Sequence, residues 1–241
     1  MKLSNRKILI TGGTSGIGLE LTKQLVAQGN KLIICGRSKE RLDEVKAQYP
    51  QQVDVFQCDL AEEGECEALV QWVSDNHSQT SVLINNAAIV HKEEFLGNSN
   101  SMAKAKKEMA VNFFAPLYLI KHLHPILIAN LTPVIVNITT GLVYAPKAAY
   151  SFYNSTKSAL HSFTQVYRLQ TSSADLTVIE VLFPAVDTPW HKGKAPEIAI
   201  SPREAVKIML HGIAKGKKEI RVGKVRLLYL ISRIAPNLAF K

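Results

Sequence analysis

Lys7-Ile8-Leu9-Ile10-Thr11-Gly12-Gly13-Thr14-Ser15-Gly16-Ile17-Gly18 is the stretch whose reading decides the fold. An apolar run passes into a glycine-rich turn, and the turn passes into the helical pattern Leu19-Glu20-Leu21-Thr22-Lys23-Gln24-Leu25-Val26. That order describes a strand feeding a helix N-terminus. Such a terminus presents unbonded backbone N–H groups and a partial positive charge, both suited to a phosphate. Glycine lets the backbone approach a pyrophosphate where a Cβ would collide. The chain is therefore expected to open with a nucleotide site built on Gly12, Thr14, Ser15, Gly16, Ile17 and Gly18. The alternative is a tight strand-to-helix turn that holds no ligand.

Outward from this turn, strand-like and helix-like segments alternate. A helix from Ile17 to Gln28 stops at Gly29-Asn30, residues that tolerate the left-handed conformation. Lys31–Cys35 reads as a buried strand, Lys39–Gln48 as a helix closed by Pro50, and Val53–Cys58 as a third strand. Glu62–Asn76 is helical and Val82–Ile84 is a fourth strand. A long helical region from Ser101 to Asn130 is expected to break near Pro116 or Pro125. Val134–Ile138 and Thr177–Phe183 are strands five and six, on either side of a helix from Ser151 to Thr171. Ser201-Pro202-Arg203-Glu204 opens another helix, with serine as cap and proline first, and Glu219–Val222 is the last strand. Apolar strands alternating with helices imply an α/β fold, a Rossmann-like doubly wound parallel sheet in a three-layer α/β/α arrangement. No composition shift divides residues 1–241, so a single domain is expected. The one long irregular insertion, Pro189–Ile200, is expected to act as a lid.

The hydrophobic fraction of 46% over 241 residues suits a large buried core. Cys35, Cys58 and Cys66 form neither a CxxC pair nor an even disulfide set, which favours structural thiols and a reducing, cytoplasmic compartment. No signal peptide is read at the start, and no stretch is expected to approach the ~20 apolar residues that cross a bilayer. His91, His122, His124 and His161 show no metal-ligand spacing, so structural histidines and no metal are expected. The net charge of +9 is uneven. Residues 214–241 hold Lys215, Lys217, Lys218, Arg221, Lys224, Arg226, Arg233 and Lys241 against the single acid Glu219. This segment reads as a solvated basic edge, and no nucleic-acid partner is expected. The apolar residues of Val225–Ile234 are expected to cover a core or a subunit face, with contact to a membrane surface as the alternative.

The spacing Gly12-x3-Gly16-x-Gly18 differs from GxGxxG and resembles the TGxxxGIG turn of the short-chain dehydrogenase/reductase family. Further motifs follow in that family's order. Asn85-Asn86-Ala87-Ala88 resembles NNAG, and Asn112 in Val111-Asn112 matches the catalytic asparagine. Thr140 stands thirteen residues before Tyr153, the family's serine-to-tyrosine distance, and Tyr153-Asn154-Ser155-Thr156-Lys157 is YxxxK. Val186-Asp187-Thr188 resembles the end of PGxVxT. Ile34-Cys35-Gly36-Arg37, Cys58-Asp59-Leu60 and Glu219-Ile220 are similar to the bacterial DltE-type branch.

The resemblance implies an oxidoreductase that interconverts a carbonyl and an alcohol by hydride transfer, with Asn112, Thr140, Tyr153 and Lys157 as its catalytic set. Tyr153 and Lys157 are four residues apart on one helix, so they share a face. An ammonium near the phenol is expected to lower its pKa from about 10, making Tyr153 the acid/base. Lys157 would also hold the nicotinamide ribose, Thr140 would position the substrate oxygen, and Asn112 would hold a water beside Lys157. Asp59 and Leu60 resemble the pair at the adenine ring, although Asp59 alternatively caps the next helix. Asn86, Ala87, Ala88, Val186 and Thr188 complete the implied cofactor contacts. No acid follows strand two, where NAD enzymes bind the ribose 2′-hydroxyl, whereas Arg37 suits a 2′-phosphate. NADP(H) is therefore favoured over NAD(H).

Ala88 in place of glycine, Thr140 in place of serine, and Phe183-Pro184 in place of Pro-Gly depart from the family pattern. The alternative function is a non-catalytic NADP(H)-binding sensor or docking module. The implied partners are a small-molecule carbonyl or alcohol and other copies of the chain, as a homodimer or homotetramer.

Overall fold

The computed structural model describes residues 2–92, 94–97 and 99–239. In chain order the first half runs β1 (Lys7–Thr11), α1 (Gly16–Val26), β2 (Lys31–Gly36), α2 (Lys39–Gln48), β3 (Val53–Gln57), α3 (Glu63–Asn76) and β4 (Thr80–Asn85). The second half runs α4 (Ser101–Met109), α5 (Ala115–Ile128), β5 (Val134–Thr140), α6 (Ser151–Gln170), β6 (Thr177–Phe183), α7 (Pro202–Ala214), β7 (Glu219–Arg221), α8 (Val225–Ile234) and α9 (Pro236–Ala239). The seven strands form one sheet in the order β3-β2-β1-β4-β5-β6-β7, and every pairing is parallel. Chain direction across the sheet reverses between β1 and β4. In open α/β sheets the crevice beyond the strand carboxyl ends at such a reversal takes the ligand.

Successive residues of a strand face opposite sides, and β1 shows what this does to the core. Ile8 and Ile10 join Leu21, Leu25, Ile34, Val136 and Met209 on one side. Leu9 joins Ile33, Leu69, Leu83, Leu119 and Leu123 on the other. Both faces are thus dry, which is why the strands read as unbroken apolar runs. Two turn signals act as expected: Gly29 takes φ 80°, and Ser201 Oγ accepts from Glu204 N. A cap not singled out in the sequence is Ser38, whose Oγ accepts from Arg41 N.

The long helical region does not break at a proline. It breaks at Ala110–Phe114, a π-helical turn between α4 and α5. Pro116 lies in the first turn of α5, where a missing N–H is tolerated, and α5 continues through Pro125. The run Ser101–Ile128 is also long and apolar enough to cross a membrane by length and composition, contrary to expectation. Its Leu119, Ile120, Leu123 and Leu127 are buried in the core beside the sheet, which accounts for that composition. In the C-terminal segment the expected core contact is made by Val225, the one buried residue of α8, while Leu227, Leu230 and Ile234 face solvent, which leaves the expected subunit face or membrane surface as their cover.

Candidate active site

The crevice begins at the glycine turn. Gly12 and Gly16 adopt φ of 68° and 52°, where a side chain would strain the backbone. A Cβ on Gly18 would stand 2.0 Å from the Gly12 carbonyl oxygen, so only glycine fits this approach of helix to turn. Ser15 makes no side-chain cap bond and the first turn of α1 carries no acid. The N–H groups at this helix end are therefore not satisfied by a cap, as a phosphate site requires. Asn86 braces the turn from the end of β4, donating from Nδ2 to Thr11 O (2.8 Å) and Gly12 O (3.2 Å). The Thr11 hydroxyl accepts from the backbone of Asn86 and Ala87, both at 3.0 Å. Ala88 is exposed beside them.

Other expected cofactor residues border the same crevice. Arg37 is exposed at the end of β2, and no acid lies between Cys35 and Ser38. Asp59 is not a helix cap: Glu62 holds the N-cap position of α3 and makes no side-chain cap bond, and Asp59 Oδ1 accepts from Ala61 N at 3.0 Å. Leu60 is buried. Thr188 Cγ2 stands 3.2 Å from where a Gly16 Cβ would be, so the base of the expected lid lies over the helix start. Val186 bridges to Ile200, which closes the lid segment at its neck. The uncapped backbone donors, the glycine clearances and the exposed arginine are the kinds of group that nucleotide phosphates need.

The four residues expected to carry the chemistry come together where β5 meets α6. The hydroxyl of Thr140, the last residue of β5, lies near enough to the Tyr153 phenol to favour its ionised form. Lys157 lies 6.0 Å from the centre of the Tyr153 ring and donates from Nζ to Ile138 O at 2.8 Å. Asn112 is in the π-helical turn, and its amide is spent on Ile89 N and O, both at 2.8 Å, and on Thr156 Oγ1 at 3.1 Å. It thereby ties the loop after β4 to α6.

The electrostatics overturn one expectation. Burial pushes the Tyr153 phenol up to about 12; the Glu108 carboxylate adds to this and the Thr140 hydroxyl opposes it. The Lys157 ammonium, which donates to the Ile138 carbonyl, is not among the groups that offset this rise. Burial brings Lys157 itself down to about 8, against the upward pull of Glu180. At neutral pH the phenol is therefore a protonated donor beside a lysine that remains mostly charged.

Two buried carboxylates were not singled out in the sequence. Glu180 on β6 accepts from Thr139 Oγ1 at 2.6 Å and shares a 2.8 Å hydrogen bond with His161 Nδ1. Glu108 on α4 accepts from His91 N at 2.7 Å and is bound to His91 Nδ1 at 2.8 Å. The available signal was an acid within the apolar run Val178-Ile179-Glu180-Val181-Leu182. Aromatic pairs involve two residues that precede Tyr153: Trp190 of the expected lid meets Tyr150 at 5.8 Å between ring centres, and Phe95 meets Phe152 at 6.0 Å.

The short chain dehydrogenase family model matches residues 6–199, spanning the glycine turn, Tyr153 and Lys157. The chain belongs to the short-chain dehydrogenase family. It is 39% identical over 225 residues to the uncharacterized oxidoreductase DltE of Bacillus subtilis, covering 91% of this chain and 89% of the relative. It is 29% identical to a fatty acyl-CoA reductase of Acinetobacter baylyi, covering 95% and 80% of the two chains. Among solved structures, a short-chain dehydrogenase of Burkholderia cenocepacia in complex with NADP superposes with a TM-score of 0.87 at 24% identity, over 99% of this chain and 97% of that one. A Sphingobium yanoikuyae short-chain dehydrogenase in complex with NADPH gives 0.83 at 23% identity, over 97% and 95%. This short-chain dehydrogenase is thus an oxidoreductase with the family's doubly wound fold.

Proposed function

We propose that this dehydrogenase reduces an apolar carbonyl compound to its alcohol with NADPH. The observation that carries the reading is the convergence of Tyr153, the buried Thr140 and the buried Lys157, whose Nζ lies 6.0 Å from the Tyr153 ring centre. Gly12, Thr14, Ser15, Gly16, Ile17 and Gly18 would take the pyrophosphate. Arg37 would take the 2′-phosphate, Asp59 and Leu60 the adenine, and Asn86, Ala87, Ala88, Val186 and Thr188 the nicotinamide half. When bound, the reduced nicotinamide supplies the hydride to the carbonyl carbon. Tyr153 gives its proton to the carbonyl oxygen, and Lys157 would hold the nicotinamide ribose. Thr140 orients the oxygen, and Asn112 holds α6 against the loop after β4.

NADPH rests on Arg37, on the missing acid after β2, and on the NADP and NADPH complexes of structural neighbours. An apolar substrate rests on the aromatic pairs at Tyr150 and Phe152. It also agrees with relatives that include the fatty acyl-CoA reductase and a 3-ketodihydrosphingosine reductase of Dictyostelium discoideum, 28% identical over 91% of this chain. The test is NADPH consumption over a series of aldehydes and ketones of rising chain length. We expect kcat/KM to rise with chain length. Arg37→Ala should lower kcat/KM for NADPH about 10- to 100-fold, the worth of a charge-assisted hydrogen bond, and leave NADH unchanged. No turnover of any carbonyl, or an unaltered NADPH-to-NADH ratio in the variant, would contradict the reading.

A further inference from the structure

The helix after β7 has an inner side fixed to the protein and an outer side fixed to nothing among the described residues. Val225 is buried, and Val225 and Leu228 pack on Gly141, so closely that a Cβ there would stand 2.9 Å from Val225 Cγ2. Tyr229 is clamped beneath the Arg221 guanidinium, 3.6 Å from its ring centre, and against the Tyr144 ring at 5.0 Å. Three residues spaced three and four apart occupy the opposite side of α8. Leu227 is 57% exposed, Leu230 49% and Ile234 83%, and Leu238 of α9 is 63% exposed. At 100° per residue, Arg226 and Arg233 border this stripe on one flank and Lys224 on the other.

The charge decides what covers it. The only acid in residues 214–241, Glu219, is engaged by Arg221 and by the Tyr144 hydroxyl at 2.9 Å. A two-fold contact between copies through this stripe would bring the same cations onto one another without a carboxylate from this segment. An anionic bilayer satisfies both parts, since acyl chains accept the leucines and head-group phosphates accept the flanking cations.

We propose that α8 anchors this dehydrogenase to an anionic membrane surface. Leu227, Leu230, Ile234 and Leu238 enter the head-group boundary, and Lys224, Arg226 and Arg233 hold lipid phosphates. Because α8 rests on the loop that leaves Thr140, the anchor lies beside the site. If the substrate is an apolar carbonyl, as proposed above, it can arrive from the bilayer; the binding itself does not depend on that reading.

Sedimentation of the full chain with vesicles tests this. The chain should pellet with phosphatidylcholine vesicles containing phosphatidylglycerol, less with phosphatidylcholine alone, and less again in high salt. Leu227→Glu with Ile234→Glu, and separately Lys224→Glu with Arg226→Glu, should each weaken binding by at least ~10-fold. Circular dichroism and turnover of a short soluble carbonyl should stay unchanged in both variants. In Leu227→Trp, the new indole fluorescence should shift to the blue with anionic vesicles and be quenched by brominated acyl chains. Three results would overturn the proposal: no pelleting with anionic vesicles at low salt, equal binding to neutral vesicles, or a light-scattering mass that falls to the monomer in Leu227→Glu/Ile234→Glu without vesicle binding by the parent. The last would make the stripe a face between copies.

Discussion

Lys157 is 2% exposed, and its ammonium is brought down from 10.5 to about 8 by desolvation. That difference corresponds to on the order of 3 kcal/mol spent on burying the charge. Between about pH 8 and 10.5 the unfolded chain binds more protons at this lysine than the folded one does. Stability from this group therefore rises with pH across that window and is lowest below it. Lys157→Met should abolish turnover yet raise the melting temperature at pH 7; a lower melting temperature would show that the buried ammonium is net stabilising. Glu180 pulls in the opposite direction, favouring the charged lysine. In Glu180→Gln the ammonium should be lost at lower pH. The alkaline limb of the kcat profile should then move to lower pH, while NADPH affinity below pH 7 stays the same. An unmoved limb would show that Glu180 acts only in packing. Neither carboxylate role was legible in the sequence. A lone acid in an apolar run says that a partner is needed, and only the fold shows that His161 and Thr139 supply it.

The π-helical turn illustrates, at the scale of elements, what local patterns omit. Ala110-Val111-Asn112-Phe113-Phe114 contains no helix breaker, whereas the prolines that attracted the expected break lie inside α5. The extra residue per turn carries Asn112, whose amide joins the loop after β4 to α6. Asn112→Ala would leave the buried groups it binds unsatisfied and should cost ~2–4 kcal/mol of stability in denaturant unfolding. A loss under half of the lower figure would mean that water replaces the amide. The glycine turn, by contrast, was legible because its geometry is local: positive φ and close backbone approach admit few residue types. The helix cap at Ser201 was readable for the same reason.

The parallel sheet covered on both faces followed from strands that are apolar on both sides, since such strands must be covered twice. The placement of α8 did not follow, because an amphipathic pattern shows that one side is apolar and leaves its cover unnamed. Exposed apolar residues also remain on α5 and α6. Phe114, immediately before α5, and Val166 and Leu169 of α6 face solvent. We propose this surface as the contact of a homodimer or homotetramer. Light scattering should give a multiple of the chain mass, and Phe114→Asp with Val166→Asp should reduce it to the monomer; an unchanged mass would place the contact elsewhere.

The catalytic reading stands on the Tyr153 hydroxyl as the proton donor of a site that binds its cofactor independently of that hydroxyl. Tyr153→Phe removes one oxygen, so paired measurements of NADPH binding by fluorescence and of carbonyl turnover address it directly. We expect binding within about twofold of the parent and turnover reduced about 10³-fold, the range for loss of a positioned general acid. Turnover close to that of the parent, or loss of NADPH binding together with activity, would contradict it.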